Sequence, residues 1–276
     1  MAKKAQLIIT DTYFNVFNVL AKTLDGKTKD LSSKNLVFCE EKVSLMAERR
    51  ICERTGGSFN TDVYSFGKFL RRKKNLQGVL SKEGSAMAVK RIITDLPLEC
   101  LKKSKKNLAP SVFELIVQLK SANVTPDDLL FGAESAERIL GAKLKDIALI
   151  YSEYEKYIYE NGFGDQSSIL SMLPEIIEND PEMPNTDVFL LGYQSFTAQA
   201  KDIVRALLKT AKSVTAIFTD GDNKFLYLGE TAFAFKRLCD ECKITVEESF
   251  EKSDVTEEGK IILNGMFNPY KRAARP

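Results

Sequence analysis

Five cations fall within seven residues at Lys68, Arg71, Arg72, Lys73 and Lys74, interleaved with Phe66, Phe69 and Leu70. Cations at this density neutralise phosphates, and an adjacent ring can stack on a base, so the segment fits a single strand of nucleic acid. Lys68, Arg71 and Arg72 are the expected phosphate contacts. Phe66 is either the stacking ring or a core anchor. The competing reading is a solvated helix face whose Phe and Leu residues point inward. A second block, Lys102 to Lys106, reads as an exposed helix end, where cations suit the carbonyl-rich terminus.

Three other constellations invite chemistry. A phosphate-binding loop needs G-x-x-x-x-G-K-[ST] after a strand, for backbone amides, a lysine charge and a hydroxyl on Mg²⁺. After Leu7-Ile8-Ile9 this chain has Thr10-Asp11-Thr12-Tyr13-Phe14-Asn15-Val16-Phe17, with no glycine and no lysine. No bound nucleotide is expected there. Cys239-Asp240-Glu241-Cys242 is a lone CxxC, and a structural zinc needs two more ligands. It falls at a predicted helix C-terminus, where the dipole does not favour thiolate, so no metal is expected. Asp220-Gly221-Asp222 follows a strand and could hold Mg²⁺ for phosphoryl transfer. The plainer reading is an Asp-Gly turn before Lys224–Leu228.

Composition narrows the classes further. The 276 residues are 44% hydrophobic and 28% charged, with a net charge of +2, as in an ordinary globular protein with a sizeable core. Any basic surface must be local. Histidine is absent, which excludes His-dependent triads, zincin motifs and His proton shuttles on this chain. Five scattered cysteines do not make a disulfide scaffold. The apolar run after Met1 is too short for a signal peptide or membrane span, so a cytoplasmic setting is the default.

The elements that position these residues follow from periodicity. Strands are expected at 6–10, 35–39, 62–65, 187–191, 213–219 and 243–246. Helices are expected at 12–24, 41–54, from Phe66, at 196–210 and at 231–241. Gly56 and Gly57 should close the second helix, and Thr197 should cap the fourth. Between 85 and 177 strand signals vanish, and helices are expected at 86–101, 111–121, 134–160 and 166–177. The acidic stretch 247–258 reads as a solvated loop, and 259–268 as a final short helix. This alternation implies an α/β fold with a largely parallel sheet. Its core would comprise 1–84 and 180–276, interrupted by an all-helical insertion at 85–179. The basic, unpatterned tail suggests a truncation.

Four segments in order resemble a known family. They are NLVF-x-x-EKVSLMAER at 35–49, TDVYSFGKFLRR at 61–72, LLGYQSFTAQAKDIV at 190–204, and 226–241 with Leu228, Thr231 and Leu238. Together they resemble the N-terminal region of AddB (RexB), the B subunit of a bacterial ATP-dependent helicase–nuclease that processes double-strand DNA ends. The resemblance implies a RecA-like, P-loop NTPase-like first domain interrupted by a helical insertion. It implies a DNA-engaging scaffold beside the A subunit, which carries the motor, in a cytoplasmic heterodimer acting in recombinational repair. Some members read a Chi-type signal in the single strand. The family's S-F-x-R element stands here as Ser65, Phe66 and Lys68.

The chain departs from the family at several positions. Thr10, Tyr13, Asn15, Val16 and Phe17 replace a Walker-type loop, so no cofactor is expected on this chain. The family's nuclease motif and iron–sulfur cysteines lie in its C-terminal part, with no equivalent here. The expectation is thus an inactive helicase-like domain that contacts single-stranded or duplex-end DNA and the A subunit. The alternatives are a protein-interaction scaffold without DNA contact, and a Mg²⁺-dependent phosphotransfer enzyme using Asp220 and Asp222.

Overall fold

The computed structural model describes residues 4–28, 30, 32–74, 78–104, 108–165, 169–219 and 229–253. Its first part alternates strand and helix: β1 (Lys4–Thr10), α1 (Asn15–Leu24), β2 (Lys34–Phe38), α2 (Ser44–Thr55), β3 (Thr61–Tyr64) and α3 (Phe66–Lys73). Four helices follow, α4 (Lys82–Asp95), α5 (Ala109–Ser121), α6 (Pro126–Ser135) and α7 (Arg138–Glu160). The α/β pattern then returns with α8 (Leu173–Glu178), β4 (Thr186–Leu191), α9 (Ala198–Thr210), β5 (Ser213–Thr219), α10 (Glu230–Glu241) and β6 (Thr245–Glu251).

All six strands form one parallel sheet in the order β3-β2-β4-β5-β1-β6. Parallel neighbours require crossovers, so helices cover both faces and the central strands are buried on both sides. Strand alternation sends Ile8, Val37, Phe189, Leu191 and Ile217 toward α1 and α2. The intervening Leu7, Leu36, Phe38, Val188, Leu190 and Phe218 pack with α3 and α8–α10. This is the α/β class expected, and it is consistent with a RecA-like core. Gly56 closes α2 with φ of +75°, and the Thr197 side chain caps α9.

Several expected elements are corrected. Residues 245–251 form a strand where a loop was expected from 247 onward. β6 is an edge strand, mostly exposed, so it tolerates carboxylates that a central strand would exclude. Glu248 is paired with Lys236 at 2.6 Å and Glu251 with Lys22 at 3.2 Å. The helix expected over 134–160 is instead α6 and α7, broken at Ala136-Glu137. Pro126 opens α6 rather than only breaking what precedes it, because Thr125 and Asp128 form a reciprocal capping box. The helix expected to reach residue 101 stops at Asp95. The buried Asp146 carboxylate on α7 accepts the amide N–H groups of Glu99, Cys100 and Leu101 at 2.8–3.0 Å. Lys102 therefore sits on a short 3-10 turn, Leu101–Ser104, and not at a helix end. Within 166–177 the described residues are helical at 169–170 and again in Leu173–Glu178, with a turn at 171–172 between them. Asp220, Asp222, Lys224–Leu228 and 259–268 lie outside the described residues.

Helices α4, α5, α6 and α7 share a hydrophobic cluster of their own, including Val89, Ile93, Phe113, Ile116 and Tyr154. The chain enters and leaves this region side by side. Leu80 donates its N–H to the Gly164 carbonyl at 2.8 Å, and Gly164 donates to Gly78 at 3.1 Å. Just beyond, buried Asp165 meets buried Lys120 of α5 at 2.6 Å. Lys120 also meets Glu155 of α7 at 2.5 Å and lies over the Tyr154 ring at 5.2 Å.

The α6–α7 crossing is close. A Cβ on Gly141 would stand 2.8 Å from the Ala133 carbonyl oxygen, inside van der Waals contact with rigid backbone. Gly141→Ala should therefore separate the two helices and cost about 1–3 kcal/mol, the usual range for overpacking. Urea unfolding measures this, and an unchanged midpoint would show that the crossing yields freely.

Candidate nucleic-acid interface

Helix α3 begins where β3 ends, at the carboxyl edge of the sheet. Ser65 fixes that start, since its hydroxyl accepts the Lys68 N–H at 3.3 Å and donates to Glu41 Oε2 at 3.4 Å. Phe69 and Leu70 are buried, so the inner face is set by packing. Lys73 lies on that inner side and is held by Asp180 at 2.8 Å and Glu182 at 3.0 Å. Glu182 also binds Lys34 at 3.0 Å. Hydrogen bonds from Lys34 and Lys73 push the Glu182 carboxyl down to about 2. A depressed carboxyl stabilises the fold above its ordinary pKa, and that contribution is lost as pH falls toward about 2.

Lys68, Arg71 and Arg72 occupy the outer face at i, i+3 and i+4 spacing. All three are exposed, and none has an ion pair among the described residues. The Arg72 guanidinium lies 6.0 Å from the Tyr64 ring centre. The basic cluster thus divides into one lysine consumed by folding, an outer face of three free to meet phosphate, and Lys74, exposed at the end of the helix.

Phe66 has the geometry of an anchor. Its ring is stacked on Tyr193 at 5.6 Å with planes 14° apart, and it lies 4.9 Å from the buried Phe38 ring. Tyr193 continues to Phe196 at 5.4 Å. Nothing local in the sequence signals the Phe66–Tyr193 pair, because β3 and β4 are separated by more than a hundred residues. The available signal was Gly192 before Tyr193. Gly192 has φ of +66°, and a Cβ there would stand 3.4 Å from the Tyr13 ring.

Tyr13, Cys39, Glu40 and Tyr193 gather above the ends of β2 and β4. Burial raises the Tyr13 and Tyr193 phenols, with Glu40 adding to both. Burial, with Glu48 and Glu40, pushes the Cys39 thiol up to about 12. The two phenols and the thiol stay neutral near pH 7, so they supply hydrogen-bonding and stacking surface but no ready nucleophile.

The turn after β1 is filled by its own side chains. Wholly buried Thr10 donates to the carbonyls of Thr12 at 3.0 Å and Phe218 at 3.3 Å. The Asp11 carboxylate accepts the Ser253 N–H at 2.9 Å and its hydroxyl at 2.7 Å. Asn15 donates to the Glu251 carbonyl at 3.1 Å. The amides of Asn15 and Val16, which open α1, are directed to the carbonyls of Thr12 and Tyr13. These two amides are thus taken up within the turn.

Elsewhere, Cys239 is buried in the main core, and burial pushes its thiol up to about 12. Its partner Cys242 terminates α10. Among the described residues no group of three or more Cys, Asp or Glu is placed to hold a metal. No described helix is long and apolar enough to cross a membrane.

Comparison with known proteins points in one direction. Residues 21–261 match the sequence model of the family described as ADDB, N-terminal. Among similar curated proteins, one from a Thermoanaerobacter species is 24% identical over 289 aligned residues, covering 94% of this chain and 25% of that protein. One from Clostridium botulinum is 27% identical, covering 74% of this chain and 19% of that protein. One from Ruminiclostridium cellulolyticum is 27% identical, covering 72% and 18%. All three are named as the B subunit of an ATP-dependent helicase/deoxyribonuclease. The chain spans about a quarter or less of the length of these relatives.

Proposed function

Since the chain belongs to the AddB N-terminal family, we propose that it is a non-catalytic, helicase-like scaffold that holds DNA within a two-subunit helicase–nuclease acting on double-strand ends. The reading places the protein in the cytoplasm, in recombinational repair, beside an A subunit that supplies the motor. In this reading residues 85–179 are a helical insertion into a discontinuous core of 1–84 and 180–276, with its last helix, α8, packed on the core and not on α4–α7.

One observation carries the DNA assignment. Lys68, Arg71 and Arg72 share an exposed face of α3 without acidic partners among the described residues, at the carboxyl edge of a parallel sheet. Ligands of open α/β sheets lie beyond that edge. Phe66 then acts as the anchor that fixes the start of the helix, and the cations act as the contact. Fluorescence anisotropy of the full-length subunit, alone and in its complex, with a labelled single-stranded oligonucleotide tests the reading. Salt-dependent binding supports it. No binding in either form would favour a protein-interaction scaffold without DNA contact.

The same reading has no nucleotide at the first strand–helix turn. Calorimetric titration of the full-length subunit, without its companion, with Mg-ATP should give no saturable heat. Micromolar binding that is abolished by changes within residues 10–17 would overturn this part of the proposal.

A further inference from the structure

Helices α4–α7 and the sheet have separate cores. Their hydrophobic clusters share no residue among those described. The change from one core to the other falls between neighbours: Val79 packs against the sheet core and Leu80 against the bundle. On the return passage the Phe163 ring lies 6.3 Å from Tyr157 of α7, whereas Ile169 is buried in the sheet core. Two parts of a chain that lack a large apolar interface are expected to move relative to one another. The bundle itself is stiff. A capping box opens α6, Asp146 holds three amides beyond α4, and Gly141 lets α7 lie close against the Ala133 carbonyl.

The junction between them has the parts of a hinge and a latch. Gly78, with φ of +76°, stands just before the change of core, and Gly164 stands beside it on the return passage. Glycine takes up φ and ψ changes that a side chain would resist. The end of α5 supplies two fastenings. Lys120 meets the buried Asp165 next to Gly164, close to the pivot. Asn123, about one helical turn further on and with φ of +56°, donates from Nδ2 to Asp202 Oδ2 of α9 at 2.7 Å. That bond is exposed, and an exposed hydrogen bond has a small net worth, so it opens far more readily than a buried ion pair. The bundle is also a long lever. α7 ends at Glu160 beside the neck, and its 23 residues extend about 34 Å from there. A rotation of about 15° at the neck carries the Arg138 end by roughly 9 Å.

We propose that the α4–α7 bundle is a rigid body hinged at Gly78 and Gly164, with Asn123–Asp202 as the latch that holds it in the position seen and releases it to a second one. The closed and open forms exchange in the subunit alone, with the open form the minor one. This inference depends neither on DNA binding nor on a companion subunit.

Distances measured by double electron–electron resonance in the full-length subunit test it. Nitroxides on genetically encoded residues in place of Leu45 on α2 and Ile139 on α7, both exposed, report the swing. A second pair, in place of exposed Met87 on α4 and Ile139, reports the shape of the bundle. Asn123→Gly removes the latch and suits the positive φ. It should raise the open-to-closed ratio about fivefold, the worth of one hydrogen bond. Asp202→Ala should do the same, and the two together should add nothing further, because they break one bond. The distance within the bundle should stay fixed throughout. A single distance between α2 and α7, common to the unaltered subunit and all variants, would overturn the hinge. A change in the distance within the bundle would overturn it too, since the bundle would then be deforming and not turning. Additive effects of the two substitutions would overturn the latch.

Discussion

Replacing Lys68, Arg71 and Arg72 together with alanine should weaken single-strand binding and flatten its salt dependence by about two log units per log unit of salt. Each cation that neutralises a phosphate on a single strand releases counterion equivalent to a slope of about 0.7, so three contacts give roughly two. Under the two-subunit reading, the assembled complex is the proper setting for this measurement. Phe66→Ala should behave differently. Its ring lies against Tyr193 and Phe38, so its loss should cost on the order of 3 kcal/mol of stability. The salt slope should not move. If the triple variant keeps both the affinity and the slope of the unaltered protein, α3 is not a DNA contact. If Phe66→Ala leaves the melting temperature unchanged but weakens binding, the ring stacks on a base instead of anchoring the helix.

The largest stability effect is expected at Lys120. Lys120→Met leaves Asp165, which is 1% exposed, as a buried charge deprived of that cation. Breaking a buried ion pair by removing one member costs about 3–5 kcal/mol, because the remaining charge keeps its desolvation penalty. A companion variant, Lys120→Met with Asp165→Leu, removes that stranded charge and should recover much of the loss. Urea unfolding of both variants decides the matter. Equal destabilisation of the single and double variants would mean that the pair itself, and not the stranded carboxylate, dominates. A loss below about 1 kcal/mol in the single variant would be the behaviour of an exposed pair, and would show that water reaches Lys120.

Much of the sheet was legible in advance because its strands are short apolar runs with a single burial solution. Leu36-Val37-Phe38, Val188–Leu191 and Val214–Phe218 could be strands of a parallel sheet and little else at that length. β6 was legible only at its start, within the strand expected at 243–246; its continuation was hidden by its three glutamates, which an edge strand can expose and a central one cannot. Helix α6 was hidden because Pro126 reads first as a break, although Thr125-Pro126 followed by Asp128 is also a helix start. The candidate site was legible only as residue types. Helical spacing puts Lys68, Arg71 and Arg72 on a shared face. It could not show that Lys73 is tied to Asp180 and Glu182, or that Tyr193 covers Phe66. Those contacts span more than a hundred residues, and helical or strand periodicity carries no information at that range. The same limit hid Lys120, whose pattern is that of any lysine on an amphipathic helix until Asp165 folds against it.

The placement of β1 bears on how this chain is made. Both of its neighbours, β5 and β6, begin more than two hundred residues later in the sequence. A ribosome adding about 5–20 residues per second would take roughly 10–40 s to deliver them. During that interval Leu7, Ile8 and Ile9 have no strand to pair with, while α4–α7 can already gather around their own cluster. Among the described strands, β1 is therefore the one that waits longest for its neighbours. Its apolar run is the segment of the nascent chain most in need of a chaperone, and the step that completes the sheet is a slow, non-local one.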